Sequence, residues 1–110
     1  MRAYELMVIV EGEVDDAGVE SVIAAVQEQI TGDGGTVAKS ENWGKRKFAY
    51  PIEKKLEGTY LVFEIATATP GLDPVDRYLR LADEIVRHKI VRLPDSEATR
   101  RGLLTDAAAG

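Results

Sequence analysis

NWGKRKFAYPIEKKLEGTYLVFEI, residues 42–65, joins two strand-like runs through a charged turn and holds five of the chain's fourteen cations. Thr59 to Thr67 is rich in β-branched and aromatic residues, the composition of a pleated, half-buried surface. Thr36 to Ile52 therefore reads as a long strand, Glu53 to Gly58 as a turn, and Thr59 to Thr67 as the strand that returns as a hairpin. Upstream, AYELMVIV at 3–10 alternates, with Tyr4, Leu6, Val8 and Val10 on one face, the period of a strand with one side buried. Asp15 and Asp16 suit the start of a helix, where acids meet the free amides and the positive end of the dipole. Val19, Val22, Ile23, Val26 and Ile30 then form one apolar stripe at helical period, and Gly32, Gly34 and Gly35 end it.

Downstream, Asp73 reads as an N-cap with Pro74 at the first helical position, and Val75, Tyr78, Leu79 and Ala82 supply the stripe of a second helix. Ile85 to Leu93 is a fourth strand. The order strand, helix, strand, strand, helix, strand predicts an α+β, ferredoxin-like split βαβ fold: a four-stranded antiparallel sheet with two helices on one face. Residues 1–94 are expected to make one domain. Residues 95–110, DSEATRRGLLTDAAAG, lose periodicity and read as a polar, mobile C-terminal tail.

Composition narrows the function. A chain of 110 residues supports one core but not a core plus a deep enclosed active site. The lack of cysteine excludes disulfides and thiolate chemistry, and no run reaches the apolar length of a membrane span, so the expectation is a soluble, cytoplasmic protein. The net charge of −5 opposes nucleic-acid binding, but it is unevenly spread. Residues 1–38 hold one cation and eight acids, whereas residues 39–110 hold thirteen cations and eleven acids. Such a chain can turn a basic face to RNA and an acidic face elsewhere.

No catalytic constellation emerges. His88 is the only histidine, lacks cysteine companions, and by strand alternation faces the helices with Val86 and Ile90, so it reads as a histidine at the margin of the core. The glycines at 32, 34 and 35 follow a helix, whereas a phosphate-cradling loop follows a strand and opens one. No enzyme activity, metal or cofactor is expected. The cations give a better lead. Lys45, Arg46 and Lys47 form a run in which alternation sets Lys45 and Lys47 against Arg46, and part of it is expected to touch RNA. Arg87 and Lys89 project from the open side of the sheet; with the first and last strands adjacent, Arg2 and Arg92 are expected to join them at one margin as phosphate contacts. Trp43 with Gly44 forms an apolar spot on an edge strand; filling the core or receiving a partner protein is favoured over stacking on a base.

WGKRKFAYPI with GTYLVFEI, MRAYELMVI at the start and DEIVRHKIVR near the end together resemble the sixth protein of the bacterial small ribosomal subunit. The resemblance covers residues 1–93. It implies a ribosome-bound structural protein that binds the central domain of small-subunit ribosomal RNA as a heterodimer with a strongly basic partner, the eighteenth protein of that subunit. An acidic chain beside a basic one would account for the −5 charge. Some members end in an acidic tail, sometimes extended with glutamates; this chain ends TDAAAG, so that modification is not carried over. The alternative is an RRM-like reader of single-stranded RNA, which shares the strand order. If Gly58 is set on that motif's glycine, Thr59 and Leu61 stand where its two stacking rings belong. A small ligand-binding or enzymatic domain on the same fold is the least favoured reading.

Overall fold

The computed structural model describes residues 1–69 and 71–104. Its elements are β1 (Arg2–Glu11), α1 (Asp16–Gly32), β2 (Thr36–Ile52), β3 (Lys55–Thr67), α2 (Asp73–Leu81), β4 (Ile85–Leu93) and α3 (Asp95–Arg100). The strands form one antiparallel sheet in the order β2-β3-β1-β4, so β2 and β4 are its edges. This is the split βαβ arrangement expected from the sequence. Among the described residues no helix is long and apolar enough to cross a membrane.

The alternation of β1 governs the packing. Tyr4, Leu6, Val8 and Val10 lie opposite Ile65, Phe63, Leu61 and Thr59 of β3, and directly paired residues share a face. These eight side chains are all buried. The apolar ones join Val19, Val22, Val26 and Ile30 of α1 and Val75 and Leu79 of α2 in one core. α1 starts as expected: the Asp15 carboxylate accepts the Gly18 amide at 2.8 Å, and its C-terminal turn closes through the Gly35 amide on the Ile30 carbonyl.

Four local expectations are corrected. The hairpin turn is shorter than Glu53 to Gly58: Ile52 pairs with Lys55, leaving only Glu53 and Lys54 between the strands, both at positive φ. That is the mirror-image turn whose twist matches the strands, built here without its usual Asn-Gly. α2 is capped by Leu72, with no side-chain cap bond, so Asp73 stands inside the first turn and acts on the helix dipole. Val86 lies at a register shift of β4 between the pairs Ile9–Arg87 and Val10–Ile85, so strict alternation does not place it. The segment read as an aperiodic tail from residue 95 begins with α3 and continues to a buried Leu104. Ala98 and Leu104 close over Ala3 and Leu93, a second apolar cluster on the sheet face away from α1 and α2. The segment's apolar contacts, Ala98, Leu103 and Leu104, are too few to show as a periodic stripe in sequence. Residues 105–110 of that tail lie outside the described residues.

α2 is tied to the edge strand by polar contacts as well. His88 Nε2 lies 2.7 Å from Asp76 Oδ1, with the histidine side chain mostly buried, and Arg80 also bonds Asp76 one turn along the helix. The histidine bond, helped by the charge of Arg80, holds the Asp76 carboxyl below the usual carboxylate range, against a smaller opposing effect of burial. A carboxyl depressed in the folded state stabilises the fold above its unfolded pKa of about 4 and loses that contribution as pH falls through its folded value. Asp76→Asn is therefore expected to lower stability by about 1 kcal/mol at pH 7 and to narrow the gap to wild type below about pH 4, checked by urea unfolding across pH. At the hairpin, Lys54→Gly should raise stability by about 0.5–1 kcal/mol by relieving a positive φ, measured by the same unfolding curves.

Candidate nucleic-acid interface

The sheet face away from α1 and α2 can be followed in rows running from β2 to β4. The first row, Thr36–Ala66–Ala3–Leu93, is the one that Ala98 and Leu104 partly cover. The second is Lys39–Glu64–Glu5–Val91, the third Glu41–Val62–Met7–Lys89, and the fourth Gly44–Tyr60–Ile9–Arg87. Arg46 then stands opposite Gly58, which in turn faces Glu11. The open face thus changes from apolar, through acidic, to a region of aliphatic and aromatic side chains edged by Arg46, Arg87 and Lys89.

Trp43 reaches this face through a bulge. The register of β2 shifts between Asn42 and Gly44, which leaves Trp43 as the extra residue. Gly44 takes φ +86°, a conformation that favours glycine, and donates its amide to Asn42 Oδ1 at 2.8 Å. Simple alternation would set Trp43 on the same side as Lys45 and Lys47; the bulge reverses the parity. Lys45 then pairs with Thr59 and Lys47 with Glu57, on the helix side, while Trp43 shares the open face with Arg46. The Arg46 guanidinium lies over the Trp43 ring at 5.4 Å and over Tyr60 at 5.9 Å, and Phe48 meets Tyr60 edge-on at 6.3 Å. Gly58 is needed beneath this group: a Cβ there would stand 2.6 Å from Ile9 Cγ2 and 2.8 Å from the Val10 carbonyl. Trp43 remains 43% exposed, so it does not fill the core.

The predicted cations do not all gather. Arg87 and Lys89 share the open face as expected, opposite Ile9 and Met7. Arg92 pairs with Tyr4, and Arg2 with Thr67, so both point to the helix side, at the far end of the sheet from Arg87. The single cluster of four is therefore two pairs on opposite faces, because Arg92 is separated from Lys89 by an odd number of residues and a strand reverses its side at every step. Lys45, Arg46, Lys47, Arg87, Lys89 and Arg92 make no ion pair among the described residues, in contrast to Lys39, Lys55, Arg80, Arg100 and Arg101.

Sequence reasoning missed two features. Tyr60 was not singled out, because Thr59 and Leu61 were weighed as the stacking positions; both are buried toward the helices, and Tyr60 is the ring that faces outward. A parity count along β3 from Phe63 could have found it. Arg101 was also missed, since it follows a segment without periodicity. It bonds Glu5 at 2.8 Å, Glu64 at 3.3 Å and Glu97 at 2.8 Å. These acids, Glu5 first, raise its pKa further above the ordinary arginine value. Beside it a recess of about 400 Å³ is bounded by Glu5, Lys39, Glu41, Trp43, Val62, Glu64 and Arg101. No group of His, Cys, Asp and Glu among the described residues is arranged to hold a metal ion.

An aromatic patch with unpaired cations on an open sheet suits a polyanion better than a small substrate. The chain matches the family described as ribosomal protein S6 over residues 3–92. It is 44% identical over 97 residues to the small ribosomal subunit protein bS6 of Paenarthrobacter aurescens, covering 88% of this chain and 96% of that one. The bS6 protein of Micrococcus luteus is 41% identical over 99 residues, covering 90% and 98%. The crystal structure of 30S ribosomal protein S6 from Thermotoga maritima superposes with a TM-score of 0.83 at 32% identity, covering 92% of this chain and 95% of that one. Sequence and fold agree over nearly the whole length of both partners in each comparison, and this chain belongs to the ribosomal protein S6 family.

Proposed function

We propose that the protein is a structural component of the bacterial small ribosomal subunit that binds the central domain of small-subunit ribosomal RNA together with the strongly basic eighteenth protein of that subunit. It catalyses no reaction and works in the cytoplasm, on the ribosome. The observation that carries the reading is the near-full-length match to small ribosomal subunit proteins. The open face adds a physical route. Arg46, Arg87 and Lys89 are exposed cations without acidic partners, set around Tyr60 and Trp43 on one face of a rigid sheet. Phosphate contacts from such positions fix a protein on RNA without reading sequence. Lys45, Lys47, Arg2 and Arg92 lie on the other side of the sheet and serve as secondary contacts where RNA wraps an edge.

The net charge of −5 makes the isolated chain a weak RNA binder, since only local patches attract a polyanion. A basic partner supplies the missing charge, and the exposed Trp43 at the bulge of edge strand β2 offers it an apolar contact.

Alanine at Arg46, Arg87 or Lys89 is expected to weaken binding to central-domain RNA about evenly across sequences, each lowering the slope of log affinity against log salt by about one unit. Filter binding over a salt series measures this. An equal loss from Arg77→Ala, on α2 and the far side of the sheet, would place the interface elsewhere. Titration of the same RNA with and without the basic partner tests the heterodimer: much tighter binding with the partner is expected, and equal affinity would remove it from the mechanism. Adding the partner to the free protein should also shift the emission of the single tryptophan, and an unchanged spectrum with partner binding intact in Trp43→Ala would make Trp43 purely structural.

A further inference from the structure

Glu5 and Glu64 stand directly opposite each other on the two central strands, in the row next to Met7 and Lys89. Like charges in that position repel, and they do so on the face that carries the unpaired cations. Adjacent strands are about 4.8 Å apart and residues two apart along a strand about 7 Å, so Glu5 lies about 8 Å and Glu64 about 12 Å from Lys89, both within the Debye length of about 14 Å at about 0.05 M salt. Left uncovered, they would repel the phosphates that Lys89 and Arg87 attract. They are not uncovered. Arg101 reaches over the sheet from the turn after α3 and bonds both, at 2.8 Å to Glu5 and 3.3 Å to Glu64, while Glu97 holds the guanidinium from its own helix at 2.8 Å. Ala98, Leu103 and Leu104 anchor this segment on Ala3 and Leu93, so the guanidinium is delivered by packing.

We infer that Arg101 is a positioning residue for RNA binding: it partly offsets the charge of the Glu5–Glu64 pair on the open face, and the C-terminal segment is docked there to deliver that charge. The inference rests on the reading of the open face as the RNA-binding side. It gives the segment from Asp95 to Leu104 a role in recognition that its few apolar contacts would not suggest.

The test uses the full chain, central-domain RNA and a salt series, with folding of each variant followed by circular dichroism and thermal melting. Arg101→Ala is expected to weaken RNA binding about three- to tenfold near 0.05 M salt, a difference that vanishes near 0.5 M, where charges several ångströms apart no longer interact. Arg101→Lys should retain most of the affinity because it retains the charge. Adding Glu5→Gln and Glu64→Gln to Arg101→Ala should restore binding. A second variant stands independently of how Arg101→Ala folds: Glu5→Gln with Glu64→Gln in the presence of Arg101 removes two negative charges from the RNA side, and affinity should rise at least twofold at low salt. If Arg87→Ala weakens binding while Arg101→Ala does not, or the double glutamine change leaves affinity unaltered, the inference is wrong though the open-face reading stands. If neither the wild-type chain nor its complex with the basic partner binds the RNA in a salt-dependent way, the reading fails and takes the inference with it.

Discussion

The parity of β1 is the constraint on which the rest of the molecule depends. β1 pairs on both edges, with β3 and β4, so the direction of each of its side chains is copied across the sheet. Its even-numbered residues from Tyr4 to Val10 are committed to the core under α1 and α2, where Leu6, Val8 and Val10 are fully shielded from water. A slip of one residue would turn that apolar set outward and the acids inward, at a cost of several kcal/mol in lost burial. Register is therefore held strongly, and the open face is what remains once the core has taken its side chains. Glu5, Met7 and Ile9 face outward as a consequence, and so do Arg87 and Lys89 across from them.

The open face shows how a chain of net negative charge can keep local patches of positive potential. Eight of the chain's acids lie in residues 1–38, notably along the exposed side of α1, and the acids on the open face, Glu5, Glu11, Glu41 and Glu64, are each paired with a cation. Lys39 is similarly occupied by Glu41. On the open face, the cations left without an ion pair among the described residues are Arg46, Arg87 and Lys89. Each exposed ion pair adds little to stability, but the sorting decides where on the surface positive potential survives.

The make-up of the open face also depends on two backbone devices. The bulge at Trp43, made possible by the positive φ of Gly44, puts an indole beside Arg46 and Tyr60 that regular pleating would have placed with the lysines. The docking of residues 95–104 brings Arg101 over Glu5 and Glu64. Both change which charges and rings share a surface.

The sequence by itself determined the order and type of the six main elements, the two helix stripes, the buried face of β1 and the outward placement of Arg87 and Lys89, because each follows from a local period that burial of one face imposes. It also carried the family likeness, in segments spread along the fold. Tertiary structure alone decided the rest. The side of Arg92 already follows from alternation along β4; that Arg2 joins it on that face, at the far end of the sheet from Arg87, depends on cross-strand register. The face taken by Trp43 depends on one unpaired residue in β2, and a bulge leaves no periodic mark. The placement of Arg101 depends on contacts with residues 96 and 37 positions away in the chain. Local periodicity reports how one segment meets the core; it carries no information about which distant charges the folded sheet will set side by side.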